Sequence, residues 1–172
     1  MTERARAGQI GKETGLSNVV ELAAHNSSSC ARLGDGTMKC WGWNISGQLG
    51  DHSVMTRLSP VTVCDAAPPV GQPCAPLSNV AALAQGPFSD SACALMADGT
   101  VRCWGANGYG QLGNGTMMSS AIPVPVPGVA GAKEVSLGQD HMCILMGDGT
   151  VQCVGENNFG TYGAGALGDG TT

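Results

Sequence analysis

The chain has 172 residues, 12% of them charged and 42% hydrophobic, and a formal net charge of −5. That mixture excludes intrinsic disorder, which needs low hydrophobicity and high charge. It argues against nucleic acid as a partner, which calls for a basic patch, and no apolar run approaches the ~18 residues of a membrane-inserted span.

From the N-terminus, residues 1–17 hold three of the eight basic residues, Arg4, Arg6 and Lys12. No apolar stretch follows them, so the segment does not read as a secretory signal. Gly8-Gln-Ile-Gly11 reads instead as the tail of a preceding repeat.

Residues 18–50, 79–113 and 131–163 then repeat one pattern. Its columns are a hydrophobic strand, Cys, a hydrophobic pair, Asp-Gly-Thr, Cys, and Trp-Gly-x-Asn leading to Gly-Gln-Leu-Gly. The first unit, 18–78, carries an extra CDAAPPVGQPC at 64–74, an insert whose cysteine ends can close on each other. The second unit, 79–128, is the most regular. VAALAQ, SACALM, VRCWGA and AIPVPV are its four predicted strands. Asp98-Gly99 supplies the hairpin turn between the middle pair, because both residues accept positive φ. Pro123, Pro125 and Pro127 lack the N–H that a ladder needs, which puts the fourth strand at a sheet edge. The third unit, 129–172, stops before its Pro-Val strand. It has Val154 where the others have Trp, and Thr161-Tyr162 in place of Gln-Leu. No unit shows a 3.6-residue apolar period long enough for a helix. Four-stranded antiparallel sheets recurring along a chain are blades of a β-propeller. The expected fold is therefore all-β, with about three blades of a partial propeller.

The eight cysteines form four pairs, each ten residues apart: Cys30 and Cys40, Cys64 and Cys74, Cys93 and Cys103, Cys143 and Cys153. A zinc site needs shorter Cys spacings with a second ligand pair, so no metal is expected. In each repeat the two cysteines stand five residues either side of the hairpin Asp and face each other across the strands. Opposed antiparallel residues lie about 4.5–5.5 Å apart at Cα, inside the ~4.4–6.8 Å a disulfide accepts. Four local disulfides and an oxidising compartment are expected; reduced core thiols in the cytoplasm are the alternative. In the loop-closure model each eleven-residue ring contributes about 2.8 kcal/mol.

The order Cys, Asp-Gly-Thr, Cys-Trp-Gly-x-Asn-x-x-Gly-Gln-Leu-Gly, then Pro-Val-Pro-Val resembles the regulator of chromosome condensation repeat, over about residues 8–172. The paired cysteines look like the bacterial, exported branch of that family. The resemblance implies a seven-bladed parent propeller about twice this length. The chain then reads as part of a larger propeller or a truncated product, with self-association of two arcs through open blade edges as the alternative. The resemblance also implies guanine nucleotide exchange on a small GTPase, or inhibition of a secreted enzyme, as alternative functions.

Gly108-Tyr-Gly110-Gln-Leu-Gly113 matches a dinucleotide-binding pattern, but no helix follows it, so it reads as a turn and no cofactor is expected. Asp35, Asp98, Asp148 and Asp169 stand singly and lack the alternating carboxylates of a calcium loop. His141, two residues before Cys143, is assigned a hydrogen-bonding role in the blade turn. No Ser-His-Asp or Cys-His grouping recurs, so no catalytic residue is assigned. Trp41 and Trp104 share a column, which favours packing between blades. Trp43 has no aromatic counterpart and is a candidate partner contact, as are Asp65, Pro68, Pro69 and Gln72 of the insert. Asn26, Asn44 and Asn114 lie in N-x-S/T sequons. Together these features predict a non-enzymatic protein-binding module, extracellular or in the cell envelope, with an unidentified protein partner.

Overall fold

The computed structural model describes residues 15–86, 89–158 and 165–171. Gly8–Gly11 and Thr161-Tyr162 lie outside the described residues. Among the described residues the regular structure is all strand, in three antiparallel sheets. The first has the order β1 (Val19–His25), β2 (Ser28–Leu33), β3 (Met38–Gly42), β4 (Arg57–Thr62). The second repeats it with β5 (Val80–Gln85), β6 (Ser91–Met96), β7 (Val101–Gly105) and β8 (Ser120–Pro125). The third holds β9 (Ala132–Leu137), β10 (His141–Met146) and β11 (Val151–Gly155). These are successive propeller blades, and the proline-bearing β4 and β8 are the outer strands of their sheets.

Turn chemistry sets the strand ends. At each middle hairpin an Asp carboxylate accepts hydrogen bonds from the Thr two residues on, through both its N–H and its hydroxyl. At Asp98 these are 2.9 and 2.6 Å. The intervening Gly99 has φ +79°, which an L side chain rarely adopts. Five residues out from that Asp, the register pairs Cys93 with Cys103. Cys30 pairs with Cys40 and Cys143 with Cys153 in the same way, each with Cα atoms 4.1 Å apart. Cys64 and Cys74 close the insert, with S–S 2.06 Å.

Neighbouring blades are joined by two latches and an apolar filling. At one end the hairpin glycine carbonyl accepts from the first strand of the next blade: Val80 N–H to Gly36 O at 3.0 Å, and Ala132 N–H to Gly99 O at 2.9 Å. At the other end the Gln of Gly-Gln-Leu-Gly donates to an Asp of the next blade, Gln48 to Asp90 at 3.3 Å and Gln111 to Asp140 at 3.2 Å. Between the latches lie two apolar clusters. The first seam is filled by Leu49, Val63, Leu77, Val80 and Trp104. The second is filled by Leu112, Val126, Val129, Met142 and Ile144. On β1, by contrast, Leu22 is 67% exposed, whereas its counterpart Leu83 packs against the first seam.

The hairpin carboxylates make stability depend on acid. The Thr hydroxyl first, then the Thr backbone N–H, holds Asp35, Asp98, Asp148 and Asp169 below their ordinary value of 3.8. A carboxyl lowered on folding stabilises the fold above its unfolded pKa, and that contribution is lost as pH falls through the folded value. Asp140 runs the other way. Burial, and then the neighbouring Asp90, push it up, so its contribution is present at low pH and lost as pH rises through the raised value. With four groups lowered and one raised among the described residues, the urea midpoint should fall as pH drops below about 3.8. Asp98→Asn, which keeps the turn but cannot titrate, should flatten part of that fall. A wild-type midpoint unchanged down to about pH 2.5 would contradict this linkage.

Candidate functional site

Each blade has two ends. The Asp-Gly-Thr hairpins and the linkers between blades lie at one, and the long connection before each outer strand lies at the other. That connection spans 43–56 in the first blade and 106–119 in the second. On the first, Trp43, Ile45, Val54 and Met55 are exposed; on the second, Tyr109, Met117 and Met118 are.

A buried asparagine pins each connection. The Asn44 side-chain carbonyl accepts from Leu49 N–H at 2.9 Å, and its amide donates to Ser53 O and Met55 O, both at 3.1 Å. Asn107 repeats this with Leu112 N–H at 2.9 Å, and with Thr116 O and Met118 O at 3.0 Å. Both asparagines are fully buried. Their amides fix the backbone from which Met55 and Met118 project. Asn44 is therefore consumed in the fold, and of the three sequons only Asn26 and Asn114 have any exposure. The turn at Gly108–Gly113 is held by the Gln111 side chain, whose oxygen accepts from Tyr109 N–H at 3.0 Å.

The insert sits at the opposite end. Its ends are joined by Cys64–Cys74 and by Asp65 N–H donating to Ala75 O at 2.8 Å. Arg102 of β7 reaches across to Asp65, Nη1 to Oδ1 at 2.7 Å, and ties the insert to the second blade. Asp65, Pro69 and Gln72 are exposed and Pro68 is half-buried. A cavity of about 500 Å³ opens between the insert and the Asp98 hairpin. The structure thus places Trp43 at one end of the strands and Asp65, Pro68, Pro69 and Gln72 at the other. They do not form one surface.

Sequence reasoning missed Val54, Met55, Tyr109, Met117 and Met118. The signal was present, since Val54-Met55 and Met117-Met118 fall at the same offset after Gly-Gln-Leu-Gly. At His141, for which a hydrogen-bonding role is expected, the buried Nδ1 has no hydrogen-bond partner. Its imidazole lies close against Gly138, where any Cβ would collide with the ring. Among the described residues no group of three His, Cys, Asp or Glu side chains is placed to hold a metal ion.

Cysteine-paired hairpins, latched seams and asparagine-pinned connections define this molecule as a run of repeat-built propeller blades. The regulator of chromosome condensation (RCC1) repeat matches residues 98–145 and again 132–161. Residues 98–161 of the chain therefore carry that repeat. It is 28% identical over 134 residues to the human E3 ubiquitin-protein ligase HERC2, covering 76% of this chain and 3% of that one. Human WBSCR16 superposes with a TM-score of 0.68 and 26% identity, over 81% of this chain and 33% of that one. Yeast RCC1 (Prp20), solved with Kap60 bound, gives a TM-score of 0.62 and 25% identity, over 83% and 30% respectively. The chain therefore spans a small part of each of these relatives.

Proposed function

We propose that this chain is a non-enzymatic protein-binding propeller module that works outside the cell or in the cell envelope. The observation that carries this is the gathering of exposed large apolar side chains on the two asparagine-pinned connections. Exposed apolar patches of this kind mark interaction surfaces, and methionine lets such a surface adapt to its partner. Trp43 belongs to this face. Asp65, Pro68, Pro69 and Gln72 form a second, polar contact at the far end. Yeast RCC1 bound to Kap60 is a protein-binding use of the same fold. Four disulfides favour an oxidising compartment. The relation to RCC1 favours nucleotide exchange on a small GTPase as the second reading, which requires reduced cysteines. The exposed Val20 and Leu22 of β1 offer an edge for self-association.

The test is capture from culture medium on the immobilised chain, repeated with Met55→Ser plus Met118→Ser. A protein retained by the wild type should be lost from the variant, while Gln72→Ala weakens capture less. Equal capture by the Met variant sinks the apolar-face assignment. Eight free thiols in non-reducing mass spectrometry would replace the extracellular setting with the exchange-factor reading.

A further inference from the structure

The two seams use one repeat column differently. In the first, Trp104 is fully buried between Ala92 and Ala94, and its Nε1–H donates to Gln48 O at 2.9 Å. Its ring lies over Gly50, where an added Cβ would meet Nε1 at 2.9 Å. In the second seam these three columns hold Met142, Ile144 and Val154. The Met142 sulfur fills part of the space and touches the second-blade disulfide, 3.6 Å from Cys93 Sγ and 3.5 Å from Cys103 Sγ. The filling is incomplete. A cavity of about 170 Å³ remains, bounded by Gly113, Val126, Val129, Met142, Ile144 and Val154. Among the described residues no donor reaches the carbonyl oxygen of Gln111, the counterpart of the Gln48 oxygen that accepts the indole N–H.

A wider apolar cavity beside it shares Gly113 and Val154 as lining and adds Gly110, Thr116 and Met117. Met117 belongs to the exposed apolar face, so pocket and face are one surface. An apolar cavity of about 150 Å³ is enough to hold a benzene ring.

We propose that the seam between the second and third blades is an anchor pocket for a tryptophan side chain of the protein partner, with its indole N–H on Gln111 O. The first seam shows the same ring in the same column with the same acceptor, which selects indole over an aromatic ring without a donor. A single buried aromatic anchor entering a preformed pocket is how a few residues come to dominate an interface. This assignment rests on the protein-binding reading above, and it names where and with what that partner is held.

The probe is free indole, titrated into the intact chain and followed by NMR. Saturable shifts are expected at Gly113, Val154 and the Met142 methyl, with 1-methylindole, which lacks the donor, bound about tenfold more weakly. Val154→Trp combined with Met142→Ala fills the pocket from within and should abolish the shifts. Ile144→Phe, a smaller change, is the second filled variant. Indole shifts mapping elsewhere, unchanged binding by both filled variants, or equal binding of 1-methylindole would overturn the proposal. A captured partner that indole does not displace would overturn the anchor and leave the binding-module reading intact. Indole binding as described, with no protein ever retained, would leave the pocket standing and remove its partner.

Discussion

Trp104→Ala is expected to cost about 3–5 kcal/mol of stability, the range for removing a fully buried aromatic side chain. The upper part of that range applies for two local reasons. The ring is flanked by Ala92 and Ala94, which are too small to collapse into the space it leaves. Its loss also strips the donor from Gln48 O, a buried acceptor on a buried residue. Because domains of this size are stable by only about 5–15 kcal/mol, the change should loosen the first seam before the sheets themselves unfold. Guanidinium denaturation followed by circular dichroism should show a lowered midpoint and a broadened transition. Trp41→Ala is the control. It occupies the same column in the first blade but is only half-buried there, so it should cost far less. A Trp104→Ala midpoint within about 1 kcal/mol of the wild type would remove the indole from its place as the main filling of the seam.

The same column shows how much was legible in the chain. The blades were, because each signal is local. Asp-Gly-Thr fixes a turn, the cysteines five residues either side fix the register, and the alternating prolines mark an outer strand. The four strands read for the second unit differ from those observed by at most one residue at an end. The assignment of Trp104 to the space between blades needed only the comparison with Trp41. What the sequence hid is three-dimensional. Met142 and Ile144 take over from a tryptophan column twelve and ten residues further along, and this appears only when the seams are set side by side, since no spacing rule links those positions. The split of the candidate contacts between opposite ends follows from strand direction: β3 runs away from the Asp35 hairpin toward Trp43, and β4 runs back toward the insert. The close approach of Gly138 to the His141 ring is likewise three-dimensional, and no residue type announces it.

Asn107→Ala is expected to act on both stability and binding, although Asn107 touches no partner. Its amide closes the 106–119 connection through three backbone groups: the Leu112 N–H, the Thr116 carbonyl and the Met118 carbonyl. Alanine can replace none of them. The buried Leu112 N–H, left without a partner, costs about 1–3 kcal/mol, and the two part-buried carbonyls add less. Partial hydration of a surface connection will recover some of this, so a net loss of about 3 kcal/mol is expected. The larger consequence is local. Met118 projects from the very residue whose carbonyl the amide holds, so freeing that carbonyl adds the entropy of ordering the connection to the cost of every binding event. Hydrogen exchange should speed up at Leu112 and Gly113 while the Cys93–Cys103 hairpin stays protected. Partner capture should fall at least tenfold even at temperatures where the blade remains folded. Asn107→Asp separates the two halves of the bond network, since a carboxylate can still accept from Leu112 N–H but cannot donate to either carbonyl. If Asn107→Asp keeps Leu112 protected yet loses capture, the donated bonds to Thr116 and Met118 are what shape the binding face. Protection and capture both unchanged in Asn107→Ala would mean that the apolar connection holds its form without the buried amide.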